Sequence, residues 1–409
     1  MNDKKKLVVI GGGASGFFCA INAARLHPTI QVIVFEKSSK LLSKVKISGG
    51  GRCNTTHAFD EIEELSSAYP RGKRLLKRTL HQFSPHDTTA WFKERGVELK
   101  TEEDGRMFPV SNSSQTIIDC FLQEAERYGV AIQMNADVKK IEKKDFGFVL
   151  HVEQHGCLQS VSADWICIAT GGYPKLSGFD WIRDLGHAIV EPVPSLFTFN
   201  IPDKKLHALM GISASSVMVR VPVLAKEAEG PVLITHWGLS GPAVLKLSSR
   251  CARELAELAY RFDVNVNWVH PHHESSLLSF LKQHRESNGS VQLVKNPFGL
   301  VSRLWEYLVV KTGSTTDRTW SSLSNPELVQ LSKRLTTDRY EVNGKTTFKE
   351  EFVTAGGVDL KGIHPLTMES RSCPGLFFAG EVMDVDGITG GYNFQHAWSS
   401  GWIVANSIT

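Results

Sequence analysis

The chain has 409 residues, which is too long for one hydrophobic core and predicts two or three domains. Its lysines and arginines exceed its acidic residues by only 3, so no global field draws it to nucleic acid or anionic lipid. We therefore expect a small-molecule substrate, with no nucleic acid and no membrane as partner; the oligomeric state is left open. The seven cysteines include no C-x-x-C pair, which predicts reduced thiols in a cytoplasmic protein without a metal site.

The N-terminal segment carries the first strong motif. A short apolar run, Lys6–Ile10, predicts a buried parallel strand and is followed by Gly11, Gly13 and Gly16 in the pattern G-x-G-x-x-G. A helical segment and a second apolar run follow, and that run ends in Glu36, which lies 20 residues beyond the last of these glycines. This is the full dinucleotide-binding fingerprint. The glycines let a pyrophosphate approach a helix N-terminus, and the acid would accept hydrogen bonds from an adenosine ribose.

The segment 46–57, KISGGGRCNTTH, helps to decide which dinucleotide is bound. A nicotinamide dehydrogenase would continue into further strand–helix units, whereas this chain continues into about twenty polar, glycine-rich residues, which we predict to be a functional loop. Its glycine N–H groups, with Lys44 and Arg52, would suit a pyrophosphate or the electron-rich face of a flavin. A mobile surface loop is the alternative, but Cys53 is a poor residue for a wet tip. Because no second strand–G-x-G-x-x-G–helix unit follows for NAD(P)H, the pattern favours FAD.

Two further glycine clusters follow apolar runs late in the chain. One run ends in residues 169–172, Ala-Thr-Gly-Gly, and another leads to Glu381 and then to Gly390 and Gly391, which open a helix. In flavin folds of this kind an acid after the late strand holds the ribityl hydroxyls, and we predict Glu381 for this role with Asp386 in reserve. The N–H groups at the start of the last helix would face the flavin pyrimidine edge, where negative charge grows on reduction.

Six segments together resemble one family. They are KISGGGRCNTTH (46–57), GRMFPVS (105–111), THWGLSGPAVL (235–245), VTAGGVDL (353–360), TMESR (367–371) and FFAGEVMDVDGITGGYNFQHAWSSG (377–401). In this order they are similar to the BaiN/RdsA family, the YhiN-like and aminoacetone-oxidase-like group of NAD(P)/FAD-dependent oxidoreductases. The resemblance implies an α/β fold in which a Rossmann-like FAD-binding domain of the glutathione-reductase type carries an inserted β-barrel plus helical domain.

The resemblance and the strand and helix patterns divide the chain into five segments. Alternating stretches such as 216–224 and 261–269 predict barrel strands, and Asn343-Gly344 predicts a hairpin. The expected segments are the first part of the FAD-binding domain (1–191), the inserted β-barrel (192–272), the helical subdomain (273–336), the return strands of the barrel (337–350) and the last part of the FAD-binding domain (351–409).

The expected cofactor contacts come from the glycine clusters and their flanking residues. They are Gly11, Gly13, Ala14, Ser15, Gly16, Glu36, Lys37, Lys44, Ser48, Gly49, Gly50, Gly51, Arg52, Cys53, Asn54, Val138, Ala169, Thr170, Gly171, Gly172, Gly380, Glu381, Asp386, Gly390, Gly391, Tyr392, Asn393 and Phe394.

The catalytic residues are left open by the sequence. Four side chains are candidates to reach a substrate in a cleft between the cofactor domain and the insert: His57, His236, Asn393 and His396. His236 is the preferred proton donor because imidazole titrates in the useful range. For each of the four, a hydrogen-bonded structural role is the alternative.

The leading functional hypothesis is an FAD-dependent oxidoreductase that transfers hydride between flavin N5 and a small organic substrate, with NAD(P)H as a candidate transient donor. An amine oxidase of the aminoacetone type, which passes electrons to oxygen, and a reductase that saturates an activated double bond both fit this class. A different class is a non-catalytic FAD-binding redox sensor or an RNA-associated protein. Its surface would be the basic run 71–78 with Arg318 and Arg334, although that run also fits the wet face of a helix.

Overall fold

The computed structural model describes residues 4–347 and 353–409. The chain forms two compact units, Met1–Ser195 with Lys349–Thr409, and Leu196–Phe348. Each unit has its own core of buried apolar side chains. The five expected segments are a finer division than these two units and stay a prediction, and the boundary between 350 and 351 lies outside the described residues.

The described residues contain twenty strands, numbered in chain order. They are β1 Lys6–Ile10, β2 Gln31–Glu36, β3 Thr56–His57, β4 Leu99–Thr101, β5 Arg106–Pro109, β6 Ala131–Met134, β7 Ala136–Lys143, β8 Phe148–Gln154, β9 Cys157–Ala163, β10 Trp165–Ile168, β11 Ile189–Pro194, β12 Thr198–Asn200, β13 Ser213–Val221, β14 Lys226–Ile234, β15 Gly238–Ser240, β16 Arg261–Asn267, β17 Asp338–Asn343, β18 Lys345–Thr346, β19 Thr354–Val358 and β20 Leu376–Phe378.

Fourteen α-helices are found in the same residues. They are α1 Ala14–Leu26, α2 Ser43–Gly51, α3 Ile62–Ser67, α4 Lys73–Gln82, α5 Pro85–Lys93, α6 Ser114–Arg127, α7 Asp180–Arg183, α8 Lys204–His207, α9 Pro242–Arg250, α10 Ala252–Glu257, α11 Glu274–Ser287, α12 Ser302–Val310, α13 Asn325–Thr336 and α14 Tyr392–Ser407. None of these helices is both long and apolar enough to cross a membrane.

The first unit is built on a parallel sheet with the strand order β20-β10-β1-β2-β6. Its central strand β1 is apolar throughout its buried part because helices cover both faces of a sheet of this type. Helix α1 follows β1 directly and packs along α14. Aromatic rings fill the space beside these two helices, with Phe18 in contact with Trp91, Phe121 and Trp398. The predicted α/β architecture of the Rossmann type is confirmed.

The second unit contains a seven-stranded antiparallel sheet in the order β17-β16-β13-β14-β15-β12-β18. Burial alternates along β17, as expected for a strand with one face on a core. The hairpin predicted at Asn343-Gly344 is wrong, because β17 pairs with β16 while β18 pairs with β12. Gly344 instead turns the chain between two strands that are not neighbours, with its N–H donating to Tyr260 O at 2.8 Å.

One carboxylate organises the polar part of this second core. Asp338 is fully buried and accepts hydrogen bonds from Trp268 Nε1 at 3.1 Å, Lys311 Nζ at 2.8 Å and Arg334 at 2.6 Å, and also from the Tyr340 hydroxyl. The acid therefore joins α12 and α13 to the edge of the sheet. Removing one partner of such a buried ion pair leaves a charge without compensation.

We expect Asp338→Asn to lower the free energy of unfolding of the second unit by about 3 kcal/mol, because Lys311 and Arg334 lose their shared counter-charge. Denaturant titration measures this loss. The matched control is Arg339→Gln, at the next position, where an exposed guanidinium pairs with Asp263; it should leave the midpoint unchanged. Equal effects of the two substitutions would contradict the role of the buried network.

Candidate cofactor site

The three fingerprint glycines are required for three different reasons. Gly11 has φ +116°, and a Cβ there would overlap the Ala169 carbonyl at the end of β10. A Cβ on Gly16 would overlap the carbonyl oxygen of Gly11, so the third glycine lets α1 pack onto the preceding turn. A Cβ on Gly13 would meet nothing within 4 Å. Gly13 is also the N-cap of α1 and makes no side-chain cap, so open space lies in front of the positive end of a 13-residue helix.

Glu36 lies at the end of β2 and shapes the same turn. Its carboxylate accepts hydrogen bonds from Gly12 N and Ser38 N, each at 2.8 Å. These bonds orient the carboxylate beside the glycine turn, as the fingerprint requires of the ribose-binding acid.

Tyr173 is a residue that the sequence argument missed in this region. Lys37 Nζ lies 5.6 Å from the centre of its ring, and burial raises the pKa of the phenol, with Asp137 and Glu36 adding to the effect. Tyr173 therefore lies near the end of β2 and the start of β7, the strand that contains the predicted contact Val138. The signal in the sequence was its position directly after the Gly171-Gly172 pair.

Glu381 is the acid that joins three segments of the site. Its carboxylate pairs with Lys44 Nζ at 2.5 Å and accepts a hydrogen bond from Thr354 N at 2.9 Å. A Cβ on Gly172 would lie 3.1 Å from the same carboxylate, so only glycine fits there. The Thr354 hydroxyl, which lies 2.5 Å from that Cβ position, is buried and has no partner among the described residues. A carboxylate and an orphaned hydroxyl facing a glycine provide the hydrogen-bonding groups that a polyol chain needs.

The predicted loop after β2 is partly wrong, because residues 43–51 form helix α2. Its backbone leaves helical geometry at Ser48, and Gly49, Gly50 and Gly51 then follow with φ of +59°, +68° and +84°. A Cβ on Gly50 or on Gly51 would meet nothing within 4 Å. Three successive glycines with positive φ form an exposed stretch of backbone that has no side chains to block an approaching group.

Arg52, Cys53 and Asn54 continue from this glycine stretch. Arg52 pairs with Glu102 at 2.7 Å and stacks its guanidinium 4.0 Å from the Phe108 ring. Cys53 is buried, and this burial raises the pKa of its thiol to about 11, so the thiol is protonated at neutral pH and is a poor redox nucleophile. In the orientation that satisfies both ends of its amide, Asn54 accepts a hydrogen bond from Gly391 N at 3.1 Å.

The start of α14 is held from several sides. Gly391 is its N-cap and has no side chain to cap the first N–H groups of this 16-residue helix. The amide of Asn393 closes the preceding loop, because its Oδ1 accepts from Gly387 N at 2.8 Å and its Nδ2 donates to Gly387 O at 3.1 Å. The loop therefore has a fixed course where a flavin pyrimidine edge was predicted, and Asn393 has a positioning role in it.

Asp386, the reserve candidate for the ribityl contact, is fully buried and binds the guanidinium of Arg71 and the hydroxyl of Ser195. Arg71 therefore lies inside the first unit, and the wet-face prediction is wrong for this residue. Two more of the arginines named for an RNA surface are also paired, Arg318 with Glu327 at 2.5 Å and Arg334 with Asp338 at 2.6 Å.

The histidine candidates differ in their surroundings. His57 Nδ1 donates to Gly390 O at 2.9 Å, its ring stacks on Tyr392 at 4.6 Å, and burial lowers its pKa. His396 Nε2 donates to Gly380 O at 3.2 Å, and its Nδ1 is buried without a partner among the described residues. Burial lowers the pKa of His396 to about 4. His236 belongs to the second unit, where it is exposed, and its role stays a prediction.

The predicted cofactor contacts all lie in the first unit, whereas His236, the preferred proton donor, lies in the second. The remaining ones lie on the same elements: Ser15 Oγ donates to Ala379 O at 3.3 Å, Ser48 Oγ donates to Val45 O at 2.9 Å, and Phe394 stacks on Trp398 at 5.5 Å. In residues 4–347 and 353–409, no group of three acidic, histidine or cysteine side chains is arranged to hold a metal ion.

Comparison with known proteins identifies the family of the chain. The HI0933-like protein Rossmann domain matches residues 5–407. The chain is 31% identical to the ribosomal RNA dihydrouridine synthase of Escherichia coli over 98% of this chain and 97% of that protein. It is 27% identical to the 3-dehydro-bile acid delta(4,6)-reductase of Clostridium scindens, with 98% of each chain covered. The 3-ketosteroid delta1-dehydrogenase of Sterolibacterium denitrificans shares the fold, with a TM-score of 0.54, 11% identity and 98% of each chain covered.

The chain therefore belongs to the HI0933-like family. The predicted family resemblance is confirmed, and so is the prediction of an oxidoreductase of the flavoprotein class with a Rossmann-type nucleotide-binding fold.

We expect Gly13→Val to keep the fold and to lose bound flavin, since its side chain would enter open space in front of α1. Visible absorbance of the purified protein measures the flavin, and thermal unfolding measures the fold. Gly16→Val is the matched control and should unfold the first unit, because its side chain would overlap the Gly11 carbonyl. A Gly13→Val protein with full flavin content would rule out this position as the pyrophosphate site.

We expect the first unit to lose stability on acidification between about pH 6.5 and pH 4. The native pKa of His396 is about 4, so the unfolded chain binds more protons in this window and the free energy of unfolding falls as the pH falls. The loss attributable to this residue is about 3 kcal/mol. Urea titrations at several pH values should show a flatter profile for His396→Gln. His81→Gln, on an exposed surface, should follow the wild-type profile.

Proposed function

We propose that this member of the HI0933-like family binds FAD and reduces a carbon–carbon double bond conjugated with a carbonyl group. The names of its relatives support this class, since a uracil ring and an unsaturated 3-oxo steroid both contain such a bond. The reaction is that of a reductase that saturates an activated double bond, which is one of the two kinds of enzyme that the sequence left open. The single observation that carries FAD binding is the open space at Gly13 in front of the N-terminus of α1, beside the carboxylate of Glu36.

In this proposal, residues of the first unit would hold successive parts of FAD. Gly13 and the N-terminus of α1 would hold the pyrophosphate, and Glu36 the adenosine ribose. Glu381 would hold the ribityl chain, exchanging its bond with Lys44 for bonds to hydroxyls. The N-terminus of α14 would meet the pyrimidine edge.

FAD supplies the hydride chemistry when it is bound, and the chain supplies electrostatics and proton control. The positive end of α14 would favour negative charge at the pyrimidine edge. His57 is a poor proton donor, because its Nδ1–H is used by Gly390 and burial keeps the ring neutral. His396 is excluded from this role by burial. We therefore propose His236, the third of the three candidate histidines, as the proton donor.

We propose NAD(P)H as the electron donor and a uracil base in RNA as the substrate. The second proposal departs from the small molecule that we expected from the net charge of the chain. It is supported by the name of the relative with 31% identity over nearly the whole length of both chains.

The test is an anaerobic visible spectrum of the protein with FAD, before and after NADPH is added. We expect the flavin bands to bleach and then to recover when uracil-containing ribosomal RNA is added, with two hydrogens gained per modified base by mass spectrometry. His236→Asn should slow the recovery at least tenfold without changing the bleaching rate. Bands that persist with both NADPH and NADH would favour the amine oxidase instead.

A further inference from the structure

Helix α4 is fastened to the loop that leads into α14. The ion pair of Arg71 with Asp386 lies just before the first residue of the helix. At Gly72, with φ +82°, a Cβ would lie 2.6 Å from the Val385 side chain, so the chain passes directly against the loop. The carbonyl of Ala68 accepts a hydrogen bond from Ile388 N at 2.9 Å. The position of α4 is therefore fixed relative to the loop before Gly390 and Gly391.

The two faces of α4 differ in polarity. Leu75, Leu76, Thr79 and Leu80 are buried. Arg74 and Arg78 are exposed on the opposite face, four residues apart, so they are about 6 Å apart along the helix axis.

The cations of α4 also differ in their partners. Glu63 binds Lys73 at 3.1 Å and also binds Lys77, so one acid compensates two ammonium groups. No ion pair or side-chain hydrogen bond is found for Arg74 or Arg78 among residues 4–347 and 353–409. The helix thus presents two guanidinium groups that the protein leaves uncompensated.

Guanidinium groups are planar forks of N–H donors that match phosphate oxygens in pairs. We propose that Arg74 and Arg78 bind the phosphate backbone of an RNA strand whose base reaches the flavin. This inference rests on the proposed function, because it supplies the contact that an RNA substrate needs beyond its reacting base. Phosphate contacts position a nucleic acid without reading its sequence, so two arginines on a fixed helix are sufficient for this task.

An anionic lipid surface also offers phosphate groups, but α4 does not fit one. A helix that lies on a membrane buries its apolar face between the lipids. The apolar face of α4 is already packed inside the first unit, which leaves only its polar face for a partner. The chemistry of this surface therefore favours RNA.

The test compares two double variants that remove the same charge from one helix. Arg74→Gln with Arg78→Gln removes the uncompensated pair, and Lys73→Gln with Lys77→Gln removes the pair bound by Glu63. Binding of fluorescein-labelled oligouridylate is measured by anisotropy at several salt concentrations. We expect the arginine variant to flatten the plot of log K against log salt by about 1.4, the value for two single-strand phosphate contacts, and the lysine variant to keep the wild-type slope.

An unchanged slope in the arginine variant, or an equal change in both variants, would overturn the proposal. A loss of binding to phosphatidylglycerol vesicles without a change for oligouridylate would also overturn it. Bleaching of the flavin by NADPH is recorded in parallel on the same proteins, and we expect it to be unaffected. If the flavin is bleached but the arginine variant keeps the wild-type salt slope, the RNA surface on α4 is refuted and the proposed reductase activity is not. If RNA binds as expected but NADPH does not bleach the flavin, the proposed reductase activity is refuted.

Discussion

The structure of the first unit depends on the close approach of backbone to backbone around α1. A side chain on Gly16 would overlap the turn that follows β1, and a Cβ on Gly401 of α14 would lie 2.8 Å from Ser15 O. A Cβ on Gly380 would lie 2.5 Å from Ser15 Oγ. Since glycine occupies all three positions, the N-terminus of α1 lies against the ends of the parallel strands and against α14.

The second feature of the site is a set of polar links between segments that are distant in the chain. The amide of Asn54 binds Gly391, and the ring of His57 binds Gly390. The indole of Trp398 donates to Thr55 O at 2.8 Å. These bonds tie residues 54–57, which follow the three glycines, to the start of α14. The backbone N–H groups of the glycines and those of the helix N-terminus are therefore held at a fixed distance from each other. A rigid arrangement of this kind stabilises charge without reorganisation when the charge develops.

The sequence was sufficient for features whose causes are local. The glycine fingerprint, its flanking strand and helix, and the helix opening at Gly391 follow from a few neighbouring residues. The three glycines suggested a loop, so helix α2 was not predicted. Residues 43–47 are helical, and the backbone leaves helical geometry at Ser48, just before the glycines. The contacts of Glu381 could not be predicted, since Lys44 lies 337 positions away in the chain. The Asn343-Gly344 pair suggested a hairpin, but strand pairing in the seven-stranded sheet is decided by the whole sheet.

The net charge of the chain does not show how its charges are paired in the folded structure. A net charge of +3 describes the sum, whereas partners respond to the charges that remain after internal pairing. Within one basic run, Arg71 neutralises a buried acid, Lys73 and Lys77 share Glu63, and two arginines remain for solvent. These ion pairs depend on acids that approach the run only when the chain folds, and one of them, Asp386, lies 315 positions from Arg71. A nearly neutral chain can therefore present a local cationic surface, and the ion pairs formed on folding distinguish that surface from the structural charges around it.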